Sequence, residues 1–264
     1  MRDTIHFSHA NGFPAPCYRK LFGFLEARFD LSYIDAIGHD HRYPVTDNWP
    51  HLVEQLIDYL VSHYRHPVIG VGHSLGGYLT FMAAMQRPEL FKCIVLLDAP
   101  LLSYLKSRGL EMSKWMGIVD RVTPAASTRN RRREWDSAAQ AQAHFRSRKL
   151  FRHFDPDCLA DYVHYGMAKR GGHVHLRFDP EIEYRIYCTI PHHFADYETR
   201  LMVPAGFIGG RDSAEVQMIG LSMMKRRYGF RFKRVDGTHL FPFENPQLAA
   251  AAIGEMVDRL THKL

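Results

Sequence analysis

Pro67-Val68-Ile69-Gly70-Val71-Gly72-His73-Ser74-Leu75-Gly76-Gly77-Tyr78-Leu79-Thr80-Phe81-Met82 changes character within a few residues. An apolar run rich in β-branched side chains stops at Gly72. After Gly76 the apolar residues Tyr78, Phe81, Met82 and Met85 recur at helical spacing. The stretch reads as strand, sharp turn, helix, with Ser74 at the apex. The Gly-x-Ser-x-Gly pattern has a mechanical basis: a serine on such a turn is held in strained backbone geometry with its hydroxyl exposed. The glycines two before and two after it let strand and helix approach. The pentapeptide is common by itself, and its position between a buried strand and an amphipathic helix gives it meaning.

Outward from this elbow, the same alternation recurs. Ile5 to Ser8 reads as a short strand running into the turn Ala10-Asn11-Gly12-Phe13-Pro14, followed by a helix with Tyr18, Leu21, Phe22, Leu25 and Phe29 on one face. Leu31 to Ile37 is read as a strand. Pro50 to Tyr64 is a helix carrying Leu52, Val53, Leu56 and Leu60, and Cys93 to Leu97 is a further buried strand ending at Asp98-Ala99-Pro100. Alternating strands and helices predict a parallel sheet covered by helices on both faces, with the site in loops beyond the carboxyl ends of the strands.

From Leu101 to about Tyr197 the rhythm changes to a helix-rich segment. Asp155-Pro156 and Asp179-Pro180 read as capped helix starts, and Gly171-Gly172 as a helix end. The core resumes at Leu201 to Ile208, then Gly209-Gly210-Arg211-Asp212 and a helix over Ala214 to Tyr228. A last strand, Phe230 to Val235, precedes Gly237-Thr238-His239 and a closing helix over Pro246 to Leu260. The expected organisation is a core of residues 1–100 and 197–264, with residues 101–196 as a helical cap inserted between core strands.

Length and composition bound the reading. The 264 residues, 46% hydrophobic and 23% charged, suit a soluble globular domain with a substantial core. No apolar run approaches a membrane span, and Met1-Arg2-Asp3 leads straight into a strand, so the expectation is a cytoplasmic protein with no membrane partner. Cys17, Cys93, Cys158 and Cys188 lack CxxC spacing and fit buried free thiols. The formal charge of +6 is concentrated at Arg129, Arg131, Arg132 and Arg133 and again over Arg146 to Arg152. No nucleic-acid-binding motif surrounds these residues, so they read as a solvated face or as a site favouring anionic substrates.

A serine hydroxyl becomes nucleophilic when a positioned imidazole takes its proton, and the imidazole needs a carboxylate to fix its tautomer. Ser74, Asp212 and His239 each follow a core strand, in the order expected for this chemistry on an open parallel sheet. His39 and His41, or His173 and His175, lack further ligands at metal-binding spacing. No metal and no cofactor are expected.

With these residues in hand, the chain resembles the α/β-hydrolase superfamily over nearly its whole length except the cap. Ser8 to Pro14 is similar to that family's oxyanion turn, Gly72 to Gly76 to its elbow, Gly209 to Asp212 to its acid loop and Gly237 to His239 to its histidine loop. The resemblance implies an oxyanion hole made by the backbone N–H of Leu75 with one from Asn11 or Gly12. It also implies a reduced sheet of about six strands, because the chain starts at what would be the family's third. His9-Ala10 stands where the family commonly has His-Gly. Asp98 is a rival acid, since some relatives carry the carboxylate one core strand earlier; the glycine-rich loop favours Asp212.

A serine at the elbow argues against the branches of the fold that use aspartate there. The expected function is hydrolysis of a small or medium carboxylic ester or thioester through a Ser74 acyl-enzyme, by a monomer or homodimer. The alternatives are carbon–carbon bond hydrolysis or cofactor-free perhydrolysis on the same triad, or a non-catalytic ligand-binding protein.

Overall fold

Thr4-Ile5-His6-Phe7-Ser8 forms β1 (Thr4–Ser8), whose Ile5 and Phe7 turn into the core in strand alternation. The structure is a computed structural model that describes residues 2–129, 131–197 and 200–261. After β1 come α1 (Arg19–Leu25), β2 (Asp30–Tyr33), α2 (Pro50–His63), β3 (Val68–His73), α3 (Leu75–Gln86) and β4 (Phe91–Leu97). Between β4 and the next strand of the same sheet lie α4 (Tyr104–Trp115), α5 (Val119–Val122), α6 (Ala125–Arg129), β5 (Glu134–Trp135), α7 (Ala138–Arg146), α8 (Pro156–Tyr165), β6 (Met167–Arg170), β7 (His173–Leu176) and α9 (Pro180–Cys188). The chain then re-enters the sheet with β8 (Ala205–Gly210), α10 (Ala214–Ile219), α11 (Ser222–Tyr228), β9 (Arg231–Val235), α12 (Phe241–Glu244) and α13 (Pro246–Thr261).

Six strands form the main sheet in the order β2-β1-β3-β4-β8-β9, and every pairing is parallel. This is the expected α/β architecture with about six strands. β3 is buried at all six positions, which explains its unbroken apolar run. One face of the sheet, with Ile5, Phe7, Ile69, Val71 and Val95, packs on α1 and α13; the other, with Val68, Ile94, Leu96 and Phe207, packs on α2, α3 and α11. Each such Val, Ile or Leu contributes roughly 1.5–3 kcal/mol on burial.

Three local expectations change. The strand over Leu31 to Ile37 stops at Tyr33, because Asp35 O accepts from Ala15 N (2.9 Å) and Ile37 N donates to His9 Nε2 (2.8 Å), tying this backbone to the turn after β1. The helix over Ala214 to Tyr228 breaks at Gly220, where φ is +78°. Gly171-Gly172 ends no helix: with φ of +56° and +86° it is the two-residue turn of the β6–β7 hairpin. With β5 this hairpin makes a three-stranded antiparallel sheet, so the segment between β4 and β8 is not purely helical. The two Asp-Pro helix starts are as expected. Asp155 accepts from the amides of Asp157 and Cys158, and Asp179 from that of Glu181.

Candidate active site

The elbow is built by exclusion of side chains. A Cβ on Gly72 would overlap the Gly76 carbonyl, and one on Gly76 would overlap the Ser8 carbonyl of β1. With both absent, α3 starts directly over the ends of β3 and β1. Ser74 sits between them at φ +52°, ψ −113°, a region that costs a non-glycine residue on the order of 1–3 kcal/mol. Its backbone is fixed by Ser74 N donating to Leu97 O at 3.0 Å. The strain turns the hydroxyl toward the loop after β9, where His239 Nε2 lies 3.0 Å from Ser74 Oγ.

On its other side, His239 Nδ1 lies 2.8 Å from Asp98 Oδ1. Asp98 follows β4 at φ +46°, is 1% exposed, and accepts two further hydrogen bonds, from Gly210 N (2.8 Å) and Ser213 Oγ (2.6 Å). Burial alone would raise the carboxyl, but the His239, Ser213 and Gly210 donors outweigh it and the shift is downward. Burial likewise works against the charged ring of His239. The Asp98 carboxylate, helped by the charges of Glu215 and Glu244, outweighs it and raises its pKa above 6.5. A carboxylate at Nδ1 leaves Nε2 free to accept the Ser74 proton.

The carboxylate beside His239 is thus Asp98, the rival acid, and not Asp212. Asp212 is exposed, and only its backbone N–H joins the region, donating to Gly237 O at 3.0 Å. The glycine-rich loop that favours Asp212 from sequence serves another purpose. Gly210 gives its N–H to Asp98, and a side chain there would strike the Thr238 backbone leading to His239. Glu215 on α10 is a second carboxylate, 3.7 Å from His239 Nδ1 and partly exposed.

The turn after β1 carries Asn11 and Gly12. Ala10 N donates to Tyr18 Oη (3.2 Å) and Phe13 N to Ala10 O (3.1 Å), and among the described residues the amides of Asn11 and Gly12 have no protein acceptor. Leu75 opens α3, so its amide precedes the helical ladder. α9 holds this turn from outside. Asn11 Nδ2 donates to Glu183 O (2.9 Å), and the Glu183 carboxylate covers Gly12 so closely that a Cβ there would fall 2.6 Å from Oε1. Arg131 pairs with Glu183 at 2.6 Å and reaches Tyr162 Oη at 3.1 Å. Burial pushes the Glu183 carboxyl upward despite that guanidinium.

A second support runs beneath the site. Tyr18 Oη, which accepts from Ala10 N, lies 2.7 Å from His73 Nδ1, and His73 Nε2 lies 2.9 Å from His239 O. Burial and the neighbouring His239 push His73 down to about 3, so the ring is neutral. Every donor then finds an acceptor if Tyr18 donates to Nδ1 and Nε2–H donates to the His239 carbonyl. Tyr18, Ser213, Glu183 and Arg131 carry no sequence signal for these positions; Tyr18 is legible only as a core residue of the first helix.

Among the described residues, the only three metal-capable side chains with ligand atoms within 4.8 Å are Asp98, Glu215 and His239, the acid side of this same constellation. His39 accepts from Asp179 N through Nε2, and His173 and His175 lie near Glu134 on the hairpin.

Known proteins share this fold. The fold superposes on E-2-(acetamidomethylene)succinate hydrolase with a TM-score of 0.75 at 17% identity, covering 97% of this chain and 91% of that one. An esterase of Mycobacterium tuberculosis gives 0.71 at 19% identity over 97% and 86% of the two chains. N-formylmaleamic acid deformylase of Pseudomonas putida S16 gives 0.65 at 13% over 96% and 92%. In sequence, 108 residues are 29% identical to the hydrolase YugF of Bacillus subtilis (strain 168), a match spanning 40% of this chain and 39% of that protein. Residues 7–252, which take in the turn after β1, the elbow, Asp98 and His239, match the alpha/beta hydrolase family as a whole, and the chain belongs to that family.

Proposed function

We propose that the protein is a serine hydrolase that cleaves a small or medium carboxylic ester or thioester through an acyl-enzyme on Ser74, with His239 as base and Asp98 as its carboxylate. The observation that carries this reading is the continuous chain from Ser74 Oγ to His239 Nε2 (3.0 Å) and from His239 Nδ1 to Asp98 (2.8 Å). Ser74 Oγ attacks the acyl carbon while its proton passes to Nε2. The oxyanion accepts from Leu75 N–H and from an amide of the Asn11-Gly12 turn, each donor being worth roughly 3 kcal/mol in the transition state. The tetrahedral adduct collapses, and the leaving alcohol or thiol takes the proton from Nε2. Water, deprotonated by His239, then releases the acid and restores Ser74. No step calls on a cofactor. The segment between β4 and β8 serves as the cap, and the four free cysteines support a reducing, cytoplasmic setting.

A second reading, hydrolysis of a carbon–carbon or carbon–nitrogen bond in a carboxylate-bearing substrate, is favoured by Arg131 beside the oxyanion turn and by the names of two structural neighbours. Arg131 is already neutralised by Glu183, so the ester reading is preferred. Turnover of acyl esters and thioesters of graded chain length, for wild type beside Ser74→Ala, tests it. Activity that falls on the order of a millionfold with Ser74→Ala supports the acyl-enzyme; an inert wild type across the panel refutes the ester reading.

A further inference from the structure

α4 is turned inside out. A helix on a globular protein ordinarily faces its apolar side inward. Here Ser107 and Ser113 are the buried positions, while Tyr104, Leu105, Met112, Trp115 and the adjoining Met116 are exposed. At 100° per residue these five apolar side chains fall on one stripe. Leu105 is 81% and Trp115 83% exposed, and Val122 on α5 is exposed beside them in sequence. Scattered exposed apolar residues are ordinary; a contiguous stripe marks a surface that something covers.

Charge identifies what covers it. Residues 101–133 contain eight Lys or Arg and two Asp or Glu, so the entire formal excess of +6 lies in this one segment. Lys114 and Arg131 are engaged by Asp47 and Glu183. Lys106, Arg108, Arg121, Arg129, Arg132 and Arg133 are exposed, Arg108 within the apolar stripe itself, where it also meets Glu111. A two-fold contact between copies through this face would set two such cationic segments against each other. An anionic partner is attracted. Aromatic, Leu and Met side chains on one stripe with Lys and Arg around it are the composition of a helix lying in a lipid headgroup layer.

We propose that α4 and its cationic surroundings form a docking surface for an anionic lipid bilayer, with Trp115, Leu105, Met112 and Met116 entering the headgroup region and the exposed Lys and Arg side chains meeting phosphodiester groups. No helix among the described residues is long and apolar enough to cross a membrane, and lying on one requires neither property. The sequence-based expectation of no membrane partner rests on the missing span and on the strand-like segment that directly follows Met1-Arg2-Asp3, neither of which bears on docking to a surface.

The molecule carries its own probe. Of its three tryptophans, Trp49 and Trp135 are 1% exposed, so Trp115 alone can report entry into lipid. Full-length protein is titrated with vesicles of phosphatidylglycerol mixed with phosphatidylcholine, and with phosphatidylcholine alone, by tryptophan emission and co-sedimentation. The expected result is a blue shift and sedimentation with the anionic vesicles only, weakening as salt rises. Leu105→Ser/Met116→Ser, which removes side chains exposed in the free protein and keeps the reporter, is expected to weaken partition at least tenfold. Ser74→Ala binds as wild type, which separates this outcome from the fate of the hydrolase reading. Equal binding to both vesicles overturns the charge argument. No binding to either overturns the proposal, as does a dimer abolished by Leu105→Ser/Met116→Ser in a protein that ignores vesicles.

Discussion

Replacing Asp98 with Asn, beside Asp212→Asn, distinguishes the two candidate acids. Asp98 Oδ1 accepts from both His239 Nδ1 and Ser213 Oγ, and Oδ2 accepts from Gly210 N. An asparagine has one acceptor oxygen and one NH2. If its oxygen faces His239, the NH2 confronts the Gly210 N–H; if it flips, the NH2 confronts His239 Nδ1 and forces the ring proton onto Nε2. In that tautomer His239 cannot take the Ser74 proton. The loss expected for such a change is about ten-thousandfold in turnover, or about 5.4 kcal/mol at 1.36 kcal/mol per decade.

Glu215 limits the rescue. At 3.7 Å from Nδ1 and partly exposed, it is too distant to hydrogen-bond and is screened by solvent, so Asp98→Asn/Glu215→Gln should fall below Asp98→Asn by less than about tenfold. Asp212→Asn alters an exposed side chain and should stay within about twofold of wild type. The assay is hydrolysis of an activated aryl acyl ester, with circular dichroism melts to establish that each variant is folded. A folded Asp98→Asn enzyme within tenfold of wild type, with Asp212→Asn down a thousandfold, would refute the assignment.

The same geometry sets the pH dependence. The base must be neutral, and the Asp98 carboxylate raises the His239 pKa above 6.5 in spite of burial. Falling pH therefore protonates the base and removes activity, and kcat/KM should fall along an acid limb whose apparent pKa lies above the ordinary imidazole value of 6.5 and moves to lower pH in Asp98→Asn. An acid limb below 6.5 in wild type would contradict the pair. Gly76→Ala drives a methyl into the Ser8 backbone, which neither β1 nor α3 can yield; a loss of about 3 kcal/mol and a melting temperature lower by about 2–4 °C per kcal/mol are expected. Tyr18→Phe strands the Ala10 N–H and His73 Nδ1 in a buried site and should cost about 1–3 kcal/mol by denaturant titration. Arg131→Leu leaves the buried Glu183 carboxyl unpaired over Gly12 and should destabilise the protein by about 3–5 kcal/mol, read in the same titration.

What could be read from sequence follows the range of the physics involved. The elbow is local: strand pattern, two glycines and helix pattern lie within sixteen residues, and the steric requirement on Gly72 comes from Gly76 four positions on, although the one on Gly76 comes from Ser8 of β1. The parallel sheet is legible because the burial of its inner strands β3 and β4 leaves apolar runs. The β6–β7 hairpin is harder. His173-Val174-His175-Leu176 does alternate, and Gly171-Gly172 is a two-residue turn, but four-residue strands are too short for a period to stand out in a helix-rich segment.

The acid shows the deeper limit. Glycines at 209 and 210 report that backbone must come close to something there, and the sequence motif credits the next carboxylate, Asp212, with the reason. In the folded chain the close approach is of β8 to the His239 loop on one side and to the Asp98 carboxylate on the other. A glycine records that a Cβ is forbidden; it does not record whose side chain benefits. Which strand end places a carboxylate beside His239 depends on the reach of the His239 loop across β8 to the end of β4, and that distance is a property of the assembled sheet. The same holds for Glu183, which meets Gly12 across 171 positions of sequence and leaves no local trace of doing so.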